Sequence, residues 1–310
     1  MIRTVFGRNL PTASKHGTLT IACLLVLQCL VPALANAAAV TPPPEKGLLI
    51  TPLRQYLSAS SGQTIKSSVT VANLTDQPLT VTMSVRQFSV TDYVYNYKFE
   101  APKNDWLYLD LSSVTLLPNQ SQTIPYHMQI PVGSAPGGHY YTLFASAKVS
   151  NGGINTTIQA ADLLYMTVKG ALVQTSRLEN SSIRHISFGH NVPFSLQPID
   201  TGNVHYFIYV SGQLHGLFVK ATPTPDTHLL LPGKVRAVGS SIPAPLLPGV
   251  YKATYGYRTD SGQNITRSSV VVYIPPWFIA FLLAALLVAG RFLPRKRSKQ
   301  ATPSTDDTTT

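Results

Sequence analysis

Three stretches of the chain alternate apolar and polar residues with a period of two. Leu79, Val81, Met83 and Val85 alternate with Thr80, Thr82 and Ser84. Ile124, Tyr126, Met128 and Ile130 alternate with Pro125, His127 and Gln129, and Tyr251, Ala253, Tyr255 and Tyr257 with Lys252, Thr254 and Gly256. A strand sends successive side chains to opposite faces, so this period predicts half-buried β-strands. Turn-forming clusters separate such runs, among them Asn73-Leu74-Thr75-Asp76-Gln77-Pro78 and Asp260-Ser261-Gly262-Gln263-Asn264. No long amphipathic helix precedes Trp277. Short strands at this spacing predict an all-β fold of antiparallel sandwiches.

An internal repeat divides the pattern in two. Leu116-Leu117-Pro118-Asn119 leads, 18 residues after Pro118, to Pro136-Gly137-Gly138-His139-Tyr140; Leu230-Leu231-Pro232-Gly233 leads, 16 residues after Pro232, to Pro248-Gly249-Val250-Tyr251. Each copy also has an earlier Asn-bearing turn, Val71-Ala72-Asn73 in one and Asp200-Thr201-Gly202-Asn203 in the other. The expectation is two tandem immunoglobulin-like β-sandwiches, residues 47–170 and 171–275, after a linker at 38–46.

Two apolar runs flank this region. Arg3, Arg8 and Lys15 precede an apolar run from Leu19 to Leu34, and Ala33-Leu34-Ala35 and Ala35-Asn36-Ala37 are small-x-small sites, so residues 1–37 read as a cleaved signal peptide. The second run, Trp277 to Gly290, holds 14 residues without a charge, and a snorkelling Arg291 admits Phe292 and Leu293 to give 17. With Pro275 and Pro276 before it and the basic cluster Arg291 to Lys299 after it, residues 276–293 are expected to form a C-terminal transmembrane helix. Residues 294–310 then form a basic, disordered cytoplasmic tail. The expected location is the plasma membrane, single-pass, with the ectodomain outside.

Charge adds little. Of 24 Lys and Arg, eight lie at the two ends, leaving 16 against 11 acidic residues scattered singly between them. No basic stripe interleaves with aromatics, so nucleic acid is not an expected partner. The two cysteines, Cys23 and Cys29, lie inside the first apolar run, so the mature chain is expected to have neither disulfide nor thiol chemistry.

Residues 47–170 resemble the peptidoglycan-binding domain of bacterial WxL-interacting proteins, also called domain of unknown function 916. The likeness rests on Gly62-Gln63-Thr64, on the Trp106 segment before Leu117-Pro118-Asn119, and on Ile130-Pro131 leading to Ala135-Pro136-Gly137-Gly138-His139-Tyr140-Tyr141. It implies attachment to peptidoglycan and to another surface protein.

No catalytic constellation emerges, so the chain is expected not to be an enzyme. The eight histidines form no close pair on a helical face, so no metal and no cofactor is expected. Asp105 and Asp110 flank Trp106 and read as loop or strand-end carboxylates rather than a glycosidase dyad. Trp106 is either a core plug or a stacking platform for a sugar. Tyr93, Tyr95 and Tyr97 alternate, so their rings would share one sheet face, packed or open for recognition. These four residues are the candidate ligand-binding surface. Asn73, Asn119, Asn155, Asn180 and Asn264 lie in glycosylation sequons. The expected function is a membrane-anchored cell-surface protein that binds wall polymer, a partner surface protein, or both. The alternative is an export-linked chaperone or assembly factor acting by strand addition.

Overall fold

The computed structural model describes residues 47–151, 154–216 and 225–292; the expected signal peptide, the linker at 38–46 and the tail at 294–310 lie outside them. Two pairs of sheets account for nearly all of the described chain. In the first pair, one sheet runs β1 (Leu48–Thr51), β3 (Thr64–Asn73), β8 (Ser121–Gln129), β6 (Leu107–Leu109). The facing sheet runs β2 (Arg54–Ala59), β10 (Ile154–Val168), β9 (Gly137–Asn151), β4 (Leu79–Val90), with β5 (Tyr97–Glu100) and β7 (Ser113–Leu116) both on the far side of β4. The alternation seen in the sequence is the burial pattern here: Leu79, Val81, Met83, Ile124, Tyr126 and Met128 all point into one core.

The second pair repeats the plan with fewer strands. One sheet runs β11 (Ser176–Ile183), β13 (Asn191–Asp200), β16 (Val238–Pro243), and the other β12 (Ile186–Ser187), β18 (Asn264–Tyr273), β17 (Gly249–Thr259), β14 (Tyr206–His215), β15 (Asp226–Leu230). Tyr251, Ala253, Tyr255 and Tyr257 of β17 fill its core with Phe194, Ile208 and Val210.

The two repeats share a buried corner. In the first, Asn73 is fully buried, and its Nδ2 donates to the carbonyls of Gln77, Leu116 and Leu117 at 2.8–3.1 Å. Its own carbonyl accepts the N–H of Asn119, which sits at φ +60°. In the second, the buried Asp200 takes this place, and its carbonyl accepts the N–H of Gly233 at φ +69°. Each turn therefore needs a residue that tolerates left-handed backbone, which Asn and Gly do.

The C-terminal expectation needs correction. The last element is α1 (Pro276–Phe292), 17 residues long, which at 1.5 Å per residue spans about 26 Å against a hydrocarbon core of roughly 30 Å. Among the described residues no helix is long and apolar enough to cross a membrane. The transmembrane helix and the single-pass plasma-membrane location expected from the apolar run are therefore withdrawn. The run is helical as its composition demands, but it is short for a span.

Candidate functional site: an open strand edge beside an aromatic interface

The chain entering the first sandwich changes sheets. β1 pairs antiparallel with β3, then after the cis Thr51–Pro52 bond the chain crosses over, and β2 pairs parallel with β10 from Leu163↔Arg54 to Val168↔Ala59. On its other side β10 pairs with β9 along its whole length, from Ile154↔Asn151 to Val168↔Gly137, with no register shift. Because β2 covers only residues 163–168, no described strand lies along the outer side of residues 154–162.

Which backbone groups face that open side follows from alternation. The N–H of Leu163 donates to Leu53 O at 3.1 Å, toward β2. Residues two apart in a strand aim their backbone groups the same way. The N–H and C=O of Ala161, Gln159, Thr157 and Asn155 therefore point outward along the open edge. Exposed edges are usually blunted by Pro, by Lys or by a bulge. Ile154-Asn155-Thr156-Thr157-Ile158-Gln159-Ala160-Ala161-Asp162 carries no Pro and no Lys, and its one charge, Asp162, is fully buried.

The even residues face the core. Ile158 and Ala160 pack against it, and beside them a cleft of about 370 Å³ opens between the sheets, lined by Gly47, the Thr75–Gln77 turn, Val149, Thr156 and Ile158. Further along the strand, Gln55 Nε2 donates to Asp162 Oδ2 at 2.5 Å, and Gln55 Oε1 accepts from Ser67 and Tyr126. Burial pushes the Asp162 carboxyl up to about 6, against the opposing hydrogen bond from Gln55.

The outer face of the same sheet meets the second sandwich. Phe88, Val90, Leu163 and Tyr165 pack there with Leu229 and Leu231. Tyr56 stacks on Tyr165 at 5.1 Å, and His205 and Phe207 close around the pair. Burial lowers His205 to about 4. Tyr93 and Tyr95 belong to this joint. Both sit at positive φ, +65° and +60°, so they form a turn rather than a strand, and the expected shared sheet face does not exist. Tyr93 N–H donates to Val235 O at 2.7 Å and its carbonyl accepts from Ala237. Tyr95 OH accepts from Leu231 N–H at 3.0 Å beneath the Arg236 guanidinium, and burial pushes its hydroxyl up to about 12. Such backbone costs about 1–2 kcal/mol per residue, and these contacts hold it.

Tyr97 starts β5 and stays partly open. It packs edge-on to Phe88, stacks on Phe99 and shares a 3.2 Å hydrogen bond with Tyr165 OH. Trp106 lies at another end of the sandwich, half-buried against the first core with its ring 4.5 Å from His139. The four candidate residues thus do not form one surface. Asp110 pairs with His127 at 2.9 Å, and Asp105 is exposed. Within residues 154–162 the sequence singles out only Asn155, as a sequon. A Gly-Gly pair, Gly152-Gly153, between two β-rich runs is the sequence signal that predicts a hairpin at this point.

Fold and site together define a two-sandwich all-β protein in which, among the described residues, no strand pairs with the outer side of residues 154–162. No protein-family model matches the chain, and comparison with curated proteins finds no match. Among solved structures, the chain is similar to the class 5 fimbriae chaperone CfaA (13% identity, 74% of this chain and 100% of that one, TM-score 0.38). It is also similar to a chain of a chaperone–tip adhesin complex of CFA/I fimbriae biogenesis (13% identity, 74% and 99%, TM-score 0.39). A third is a chain of the CsuC–CsuE pre-assembly complex of Acinetobacter baumannii (12% identity, 73% and 99%, TM-score 0.38). All of these scores lie below 0.5.

Proposed function

We propose that this protein is a binding protein of the assembly-factor type, which holds an extended segment of an exported partner by strand addition along residues 154–162. The observation that carries this reading is the row of outward N–H and C=O groups from Asn155 to Ala161, left open by the sheet switch at Thr51–Pro52 and flanked by an apolar cleft. Main-chain pairing supplies affinity in this mode, and pockets for alternate side chains supply selectivity.

The test reads the backbone directly. A photo-reactive side chain at Gln159 identifies partners in producing cells, with Lys252, on the second sandwich, as the control position. The captured partner is then purified with the protein and amide exchange is followed by NMR. The expected result is new protection of the 155, 157, 159 and 161 amides, while those of 156, 158 and 160, already bonded to β9, change little. Partners captured equally at Lys252, or a complex in which the odd-numbered amides stay unprotected, would sink the proposal. Retention on purified wall sacculi without such protection would favour the wall-polymer reading instead.

A further inference from the structure

The second sandwich carries a hollow of its own, on the outer face of its larger sheet and independent of the β10 edge. Three strands build it in register. Tyr209 pairs with Arg258 and Arg258 with Asn264; Ser211 pairs with Gly256 and Gly256 with Thr266; Gln213 pairs with Thr254. Between them in sequence, Val210, Tyr255 and Tyr257 point into the core, so these side chains point out. A Cβ on Gly256 would lie 2.1 Å from the carbonyl oxygen of Ile265, so only glycine lets β17 and β18 approach this closely. Over these rows lies a hollow of about 420 Å³, within the range of small-ligand sites. Its polar side chains are unspent. Elsewhere cross-strand hydroxyls satisfy each other, Thr70 with Thr123 at 3.1 Å, Thr80 with Thr115 at 3.3 Å and Ser182 with Ser195 at 2.8 Å. Here Gly256 keeps Ser211 and Thr266 two strands apart, about 10 Å. Among the described residues the side chains of Ser211, Gln213, Thr254, Arg258, Asn264 and Thr266 make no hydrogen bond to another protein group. Tyr209 is fixed instead: its hydroxyl donates to Asp260 Oδ1 at 2.8 Å, and the Arg258 guanidinium lies 5.6 Å from its ring centroid. No Asp or Glu lines the hollow, and the other oxygen of Asp260 is taken by Phe207 N–H at 2.9 Å.

We infer that this hollow binds a short oligosaccharide bearing a carboxylate, of the uronic-acid class. Hydroxyl and side-chain amide groups donate and accept at once, as sugar hydroxyls do, and here they surround a floor left bare by Gly256. The planar guanidinium of Arg258 takes a carboxylate through two parallel hydrogen bonds, and the Tyr209 ring holds it in place. One cation, with no carboxylate lining the site beside it, suits a ligand that brings one negative charge to that spot. An acidic peptide fits less well. The site is a sheet face, where the backbone groups of β14, β17 and β18 are paired with one another, so an extended peptide finds no main-chain partners there.

A glycan array tests this. Oligosaccharides containing glucuronate, galacturonate or mannuronate are printed beside their carboxyl-reduced forms and beside oligoglutamate. They are probed with the full chain, with Arg258→Gln and with Ser211→Tyr. Both positions are exposed, so the variants keep the fold, which thermal melts verify. Ser211 lies directly across from Gly256, so a tyrosine there can lay its ring over the glycine and fill the hollow without removing the charge. At least one acidic oligosaccharide should bind the unaltered chain. Its carboxyl-reduced form should bind roughly tenfold more weakly, the scale of a charged hydrogen-bonded pair, and Arg258→Gln should lose the preference for the acid by the same factor. Ser211→Tyr should abolish binding of both forms. Binding of none of the uronates, equal binding of acidic and reduced forms, or binding undiminished by either replacement overturns the inference. Oligoglutamate bound as tightly as the uronates would reduce the site to charge attraction and overturn the sugar assignment.

Discussion

Asn73 and Asp200 occupy the same corner of the two repeats with different chemistry. The Asn73 amide has donors for the carbonyls around it; an ionised Asp200 has none. Asp200 Oδ1 accepts from Gly202 N–H at 2.7 Å, while Oδ2 is buried without a hydrogen bond among the described residues. Burial accordingly pushes the carboxyl from 3.8 up to about 7. A folded pKa above the unfolded one means that this group's contribution to stability is fully present below about pH 4 and lost as pH rises through about 7. Asp162, raised to about 6, slopes the same way, whereas His205, lowered to about 4, loses its contribution as pH falls from about 6.5 through 4. Asp200→Asn restores the donor found in the first repeat. It should raise stability by about 1–2 kcal/mol at pH 7.5, with the gain shrinking below pH 6. Thermal melts across pH 5–8 check this; a variant equally or less stable throughout would refute it. Asn73 itself is a sequon whose nitrogen is spent on three carbonyls, so a glycan there is incompatible with the fold.

At the scale of elements, β10 is one strand with two environments, and the boundary falls at Asp162–Leu163. Thr157 directs its N–H to the open edge, and Ile158 directs its own to β9 opposite Ala147. Thr157→Pro should therefore cost little in the free protein, within about 1 kcal/mol, while Ile158→Pro should lose a ladder bond and cost about 3 kcal/mol. Denaturant melts of the two variants give the comparison, and equal losses would show that the edge is not open. The sequence announced the strands that feed a core, because burial on one face imposes alternation on β4, β8 and β17. It could not announce the edge. Whether a strand has one neighbour or two depends on where β1 and β2 go, and that is decided by a crossing a hundred residues upstream. The tyrosine triplet misled for a related reason. Alternation in sequence implies a shared face only when the backbone is extended, and Tyr93 and Tyr95 are held in left-handed turns by Val235, Ala237 and Leu231. The apolar run at the C-terminus forms a helix of 17 residues, too short for the transmembrane span expected from it, because hydropathy alone does not set a helix's length.

For the two sandwiches, the joint decides whether they respond as one body. Each has its own core, and a third cluster built on Tyr165, Phe88, Leu229 and Leu231 ties them together. Tyr165 is 1% exposed and touches rings from both sides, Tyr56, Phe88 and Tyr140 on one and His205 on the other. Removing a buried aromatic of this kind costs about 3–5 kcal/mol. Here the loss falls on the coupling between sandwiches rather than on either core. Calorimetry of Tyr165→Ala should accordingly resolve one cooperative transition into two, with the second sandwich, whose sheets have three and five strands against four and six, melting first. A milder change, Tyr95→Phe, removes only the hydrogen bond to Leu231 and should lower the single transition slightly without splitting it. Because Leu163 and Tyr165 belong to the same strand that carries the open edge, an added partner strand at residues 155–161 should stiffen the joint, and amide exchange at Tyr93 and Ala237 should slow in the complex. Unchanged exchange there, with the edge amides protected, would mean that the edge and the joint act independently.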